Sequence, residues 1–121
     1  METRRMIWLW LSAAVMALVA IAHSTGGASS VLGPILSGGN PHPDMEIAPT
    51  LLRYLWHSLS AFMVLCAAVV VWPETPRALI IVIGLFWIGL GLADIATSHF
   101  KHPGWIPMGI AGILALIGAY R

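Results

Sequence analysis

Apolar residues fill most of this chain in four long runs separated by short polar stretches. Most of these runs approach the roughly 20 apolar residues that a helix needs to cross the hydrocarbon core of a membrane, and the last is shorter. Pro73 and Pro76 end the second run, because proline removes a backbone donor and cannot continue a helix. The pattern predicts an all-α fold, an integral membrane four-helix bundle forming one membrane domain over 1–121, with helices at about 6–23, 51–72, 78–98 and 105–120.

The segment between the first two predicted helices, 24–50, is rich in glycine, serine and proline. Such residues favour turns, so the segment is predicted to be a long outer loop. Two interpretations of it stay open, a lid over the helix ends and a loop exposed at the surface. A second interpretation of the first apolar run is a secretory signal, because Ala20-Ile21-Ala22 resembles a cleavage site.

The composition supports the membrane prediction. Hydrophobic residues make up 59% of the 121 positions and charged residues only 9%, against about 25% charged in soluble domains. The net charge of +1 offers no basic surface for nucleic acid, so no nucleic-acid partner is predicted. The lipid bilayer is the first predicted partner.

The cations divide between the two ends of the predicted bundle. In a four-span topology Arg53 and Lys101 fall on one side, and the other four cations fall on the opposite side. The positive-inside rule then predicts that the N- and C-termini are cytoplasmic in a multi-pass protein of the bacterial inner (cytoplasmic) membrane. The four cations on the predicted inner side are Arg4, Arg5, Arg77 and Arg121.

The predicted helices carry small residues at helical spacing, which lets lipid-embedded helices approach closely. The second and third helices are joined by a very short turn, so we expect them to be antiparallel neighbours. Together these features predict a compact bundle and not a channel. The small-residue stripes are Ala13, Ala17, Ala20 and Ser24 in the first helix, Gly84 and Gly91 in the third, and Ala111, Ala115 and Ala119 in the fourth.

Most polar side chains fall at the outer end of the predicted bundle, including all five histidines. Ionisable groups inside a span are costly and normally have partners, so Asp94 should have one. Arg53 and His57 share one face of the second helix, with Ser60 a turn further along. We therefore expect Arg53 or His57 to contact Asp94, and the residues predicted to hold a polar ligand or cofactor are Arg53, His57, Ser60 and Asp94.

A metal site is a second hypothesis for the same end. Imidazole suits transition metals and haem, and His23, His57 and either His99 or His102 would come from three elements. No two histidines lie one turn apart within a single predicted helix, and the alternative is a set of hydrogen-bonded interior and interfacial histidines. The loop residue His42 belongs to the same side.

Three short motifs carry a resemblance. The motifs are His23-Ser24, Leu55-Trp56-His57-Ser58 and His102-Pro103-Gly104-Trp105. With them the chain resembles small bacterial four-helix integral membrane proteins. The resemblance implies the fold and adds no chemistry.

Two functions are predicted as alternatives. The first is an accessory or structural subunit with a histidine-centred polar cluster at the periplasmic end, within a larger membrane complex or a homo-oligomer. The second is a membrane module that binds a metal, haem or a small ligand. The sequence contains neither a nucleophile elbow nor a glycine-rich phosphate loop in its strand and helix context, so enzymatic activity is not predicted.

Overall fold

The computed structural model describes residues 2–39 and 44–121, and its fold is all-α. Within those residues the chain forms four helical runs, which confirms the all-α prediction. Three of the runs among the described residues are long and apolar enough to cross a membrane, and the last is shorter. The elements are α1 (Glu2–Ala22), a π-helical segment (His23–Leu32), α2 (Gly33–Ser37), α3 (Ala48–Val71), α4 (Arg77–Ser98) and α5 (Trp105–Tyr120).

The first helical run is much longer than predicted. α1, the π-helical segment and α2 are continuous over Glu2–Ser37, so the loop predicted for 24–50 is wrong for 24–37. The hydroxyls of Thr25 and Ser29 donate to the carbonyls of Ile21 and Gly26, so these polar side chains are satisfied by the helix itself. Gly33 N–H donates to Ala28 O, five residues back, as a π-helix requires.

α1 is one of two inner helices in the bundle, the other being α5. α1 packs against α3 on one side and α5 on the other, while α4 packs mainly on α5. α3 and α4 touch sparsely despite the short turn between them, with Phe62 and Phe86 in an edge-to-face contact at 5.7 Å. The prediction that they are antiparallel neighbours therefore holds only through this sparse contact, and neither helix has the other as its main packing partner. Connection length did not decide the packing here, because small residues on α1, α4 and α5 offer closer approach.

Small residues make the closest helix contacts. A Cβ atom on Gly112 would lie 2.5 Å from the carbonyl oxygen of Gly84, so α4 and α5 meet backbone to backbone. Ser12 on α1 is fully buried and donates to the carbonyl of Ala111 on α5, at 2.7 Å. Most of the predicted stripe is buried, including Ala13, Ala20, Gly84, Gly91, Ala111, Ala115 and Ala119.

The two ends of the bundle have different chemistry. Near the described start of the chain, Arg4 lies beside Arg121, and the Arg77 guanidinium lies 4.6 Å from the centre of the Tyr120 ring. The start of α1, the α3–α4 turn and the end of α5 therefore share one end. The histidines at 23, 57 and 102 lie at the opposite end.

Candidate functional site

A hydrogen-bonded cluster joins the π-helical segment to α3. Ser24 Oγ donates to Ser60 Oγ at 2.6 Å, and Ser60 Oγ lies 2.8 Å from His23 Nδ1. On the other side, Ser24 Oγ lies 3.0 Å from His57 Nδ1. All three distances lie within the normal hydrogen-bonding range. His57, Ser24, Ser60 and His23 thus form one unbroken chain of polar atoms.

Trp56 fixes the position of His23. The two rings stack with centroids 4.3 Å apart and planes 12° apart. The Trp56 indole N–H donates to the carbonyl oxygen of His23 at 2.8 Å. The indole N–H of Trp56, which would be costly to bury without a partner, is thus satisfied at the start of the π-helical segment.

Asp94 is paired, but not with the partner that the sequence predicts. His102 Nδ1 donates to the Asp94 carboxylate, at 2.9 Å from Oδ1 and 3.0 Å from Oδ2. The predicted contact from Arg53 or His57 is wrong, because α3 packs on α1 while Asp94, near the end of α4, faces the connection to α5. Arg53 is exposed, and His57 bonds to Ser24 instead.

The four histidines proposed as metal ligands are not gathered at one point. His23 and His57 are linked only through serine hydroxyls, and His102 bonds to Asp94. His99 ends α4 in the left-handed backbone region at φ 51° and is exposed. Across residues 2–39 and 44–121, no group of three or more His, Cys, Asp or Glu side chains is placed to hold a metal ion. His42 lies outside the described residues.

A cavity of about 500 Å³ lies between the two polar groups. His23 and Trp56 form part of one wall, and His102 and Gly104 form part of the other. The rest of the lining is almost entirely apolar, from Val19, Ala22, Gly27, Val31, Pro103, Ile106, Pro107 and Met108. The bundle thus forms an apolar, partly open cavity with two imidazoles on its lining.

Two glycines shape this cavity. A Cβ on Gly27 would lie 3.0 Å from Cζ2 of Trp56, so the absence of a side chain at residue 27 lets the tryptophan pack closely against the π-helical segment. A Cβ on Gly104 would lie 2.5 Å from Cε1 of His102 and 3.3 Å from Asp94 Oδ2. Gly104 therefore leaves room for the His102–Asp94 pair.

Sequence reasoning identified Ser60, His57 and His23 as site residues, and the structure brings these three together through Ser24. It missed Trp56 and Gly27 as cavity residues, and Gly27 falls in the segment predicted to be a loop. Trp56 directly precedes His57 in the sequence, and this adjacency could have indicated that the tryptophan belongs to the same site.

No protein-family model, no curated protein and no solved structure matches this chain.

Proposed function

We propose that the chain is a multi-pass protein of the bacterial inner membrane with both termini in the cytoplasm. Arg4, Arg5, Arg77 and Arg121 belong to the end that would then be cytoplasmic, in keeping with the positive-inside rule. α1, Glu2–Ala22, has 21 residues, about 32 Å at α-helical rise, which matches the roughly 30 Å hydrocarbon core. In this arrangement the segment around His23 lies near the periplasmic boundary.

We further propose that the protein binds a small amphipathic molecule in the cavity between His23 and His102. The observation that carries this proposal is an apolar cavity of about 500 Å³ whose lining contains two imidazoles already oriented by hydrogen bonds. Ligand sites in proteins are typically apolar spaces of ~300–1,000 Å³ with a few placed polar groups. The cavity has a volume in this range and this kind of lining.

The hydrogen bonds define the head group that such a molecule would need. His102 Nδ1 is occupied by Asp94, so a neutral His102 offers Nε2 as an acceptor. His23 Nδ1 is occupied by Ser60, which leaves its Nε2 for the ligand. A molecule with an apolar body and a hydroxyl or carbonyl head group fits both requirements, and an inorganic ion fits neither the apolar lining nor its volume.

Cavity-filling substitutions test this proposal with a matched pair. Gly27→Leu places a side chain in the cavity, whereas Gly26→Leu adds the same group where a Cβ meets nothing within 4 Å. Thermal unfolding of the purified protein would be measured with decylubiquinone, with dodecanol, and with dodecane, which lacks a head group. We expect a head-group probe to stabilise wild type and Gly26→Leu, by about 2.7 kcal/mol at 100 times its Kd, but not Gly27→Leu.

Stabilisation of Gly27→Leu as large as that of wild type would contradict the proposal. So would the failure of both head-group probes to stabilise the wild type, or equal stabilisation by dodecane.

A second candidate function is an accessory or structural subunit of a larger membrane complex. The observation that favours it is the apolar seam between α3 and α4, a cavity of about 330 Å³ that these sparsely packed helices leave open. Its lining includes exposed Phe62, Leu65 and Val82. Lipid offers no hydrophobic driving force between helices, so close packing drives their association. A partner helix lying in this seam would provide that close packing.

Val82→Trp tests the subunit proposal, with Leu92→Trp as its control. Both residues are exposed on α4, but only Val82 lines the seam. The protein would be extracted gently in native lipid and its assembly size measured. We expect a complex larger than one chain that Val82→Trp disrupts and Leu92→Trp preserves. A single chain in the wild-type extract, or equal effects of the two substitutions, would count against the proposal.

A further inference from the structure

Four side chains connect an exposed position to the cavity without a gap. The order is His57, Ser24, Ser60, His23, with separations of 3.0, 2.6 and 2.8 Å between the bonded atoms. His57 is exposed, Ser60 is buried, and His23 lines the cavity. No bridging water is needed at any of these links, because each is already a direct hydrogen bond.

The hydrogen bonds among these four side chains can all run in one direction or all in the other, and each of these two arrangements is called a sense of the hydrogen-bonded chain. A serine hydroxyl has one proton to donate and can accept in return. In the first sense His57 Nδ1–H donates to Ser24, Ser24 donates to Ser60, and Ser60 donates to His23 Nδ1. In the second sense every donor becomes an acceptor. Moving three protons by one bond each converts the first sense into the second.

The two ends of the hydrogen-bonded chain, His57 and His23, have different surroundings. Within the described residues, neither His57 nor His23 makes a hydrogen bond through Nε2. At His57 that atom belongs to an exposed ring next to exposed Arg53, and at His23 it belongs to a ring held against Trp56. The second histidine of the cavity lining, His102, bonds to Asp94, and neither group takes part in the hydrogen-bonded chain.

We propose that His57, Ser24, Ser60 and His23 form a proton relay between the aqueous surface and the cavity. His57 Nε2 takes up a proton from water and its Nδ1 proton passes to Ser24. The Ser24 hydroxyl proton passes to Ser60, the Ser60 proton passes to His23 Nδ1, and the proton on His23 Nε2 passes to a water molecule or a ligand hydroxyl in the cavity. One proton enters and one leaves, so the relay keeps its charge and needs no redox partner.

The relay uses the cavity as its outlet but does not depend on which molecule the cavity holds. In the opposite direction the same steps carry a proton from the cavity to water. Return of the chain to its first sense requires only rotation of the two hydroxyls and a change of tautomer at each histidine.

Nitrogen NMR of the full-length protein with ¹⁵N-labelled histidine tests the relay. Operation of the relay exchanges the protonated nitrogen of His23, so its Nδ1 and Nε2 signals should be averaged in the wild type. Ser24→Ala cuts the relay but leaves the contact between Ser60 and His23 in place. We expect it to slow this exchange by about 100-fold or more, the scale that a positioned proton-transfer group contributes, and to give two separate signals.

Three further variants exclude a merely structural effect. Ser24→Thr keeps a hydroxyl and should restore averaging. Ser58→Ala, in α3 beside His57 and with no hydrogen bond from its side chain among the described residues, should leave averaging unchanged. His57→Gln removes proton entry at an exposed position that does not threaten folding, and should abolish averaging at His23. Separate His23 signals in the wild type, or averaging that persists in Ser24→Ala and His57→Gln, would overturn the relay while leaving ligand binding untouched.

Discussion

Gly112→Ala is expected to lower the free energy of unfolding by about 1–3 kcal/mol, the usual cost of overpacking. The new Cβ would lie 2.5 Å from the carbonyl oxygen of Gly84 and 2.9 Å from the backbone nitrogen of Ile88. These are backbone atoms of α4, which cannot move aside as the tip of a flexible side chain can. The two helices must separate, and the packing contacts along their shared face weaken together.

Gly109→Ala is the matched control for this substitution. It makes the same change in the same helix, but its Cβ would meet nothing within 4 Å. Alanine is favoured over glycine in a helix interior by about 0.5–1 kcal/mol, so Gly109→Ala should be neutral or stabilising. Denaturant unfolding of both variants in micelles measures the difference. Equal stabilities of the two variants would show that α4 and α5 do not meet at Gly112.

The sequence predicts best those helices whose formation depends only on the length and composition of their own segment. The apolar runs around 51–72, 78–98 and 105–120 have the length and composition of helices, and the structure has α3, α4 and α5 there. Small residues at helical spacing also predicted the buried faces, because close backbone approach depends on side-chain size alone.

The error in 24–37 has a physical cause. Glycine, serine and threonine indicate turns in water because their backbone groups are readily solvated and their hydroxyls compete for backbone partners. Here the hydroxyls of Thr25 and Ser29 donate hydrogen bonds to carbonyls of the helix itself, and Gly27 lies against Trp56. The hydrogen bond between the Trp56 indole and the His23 carbonyl joins residues 33 positions apart in the chain, so no local pattern indicates it.

The partner of Asp94 could not be predicted for a related reason. The sequence places His57 and Asp94 at the same end of the bundle, but several helix arrangements share that property. Which polar groups meet depends on which helices are adjacent, and α3 is adjacent to α1 rather than closely packed on α4. The polar residues consequently divide into two sets, His57–Ser24–Ser60–His23 and Asp94–His102, with the cavity between them.

Trp56→Ala is expected to release the π-helical segment and α2 from the bundle. The substitution removes the ring stacked on His23 and the indole N–H bonded to the His23 carbonyl. Since Trp56 is only half-buried, we expect a loss of about 2 kcal/mol, below the ~3–5 kcal/mol typical of a buried tryptophan. Amide hydrogen exchange over 24–37 should accelerate more than exchange in α4, because a segment with few other buried contacts opens locally.

Trp56→Phe and Trp72→Ala separate the contributions to this effect. Phenylalanine keeps a ring against His23 and loses only the hydrogen bond, which should cost about 1 kcal/mol. Trp72 ends the same helix and is 67% exposed, so Trp72→Ala should leave exchange over 24–37 unchanged. Protection of 24–37 in Trp56→Ala equal to that in Trp72→Ala would mean that the segment is held by contacts other than the tryptophan, and His23 would then keep its place at the cavity without it.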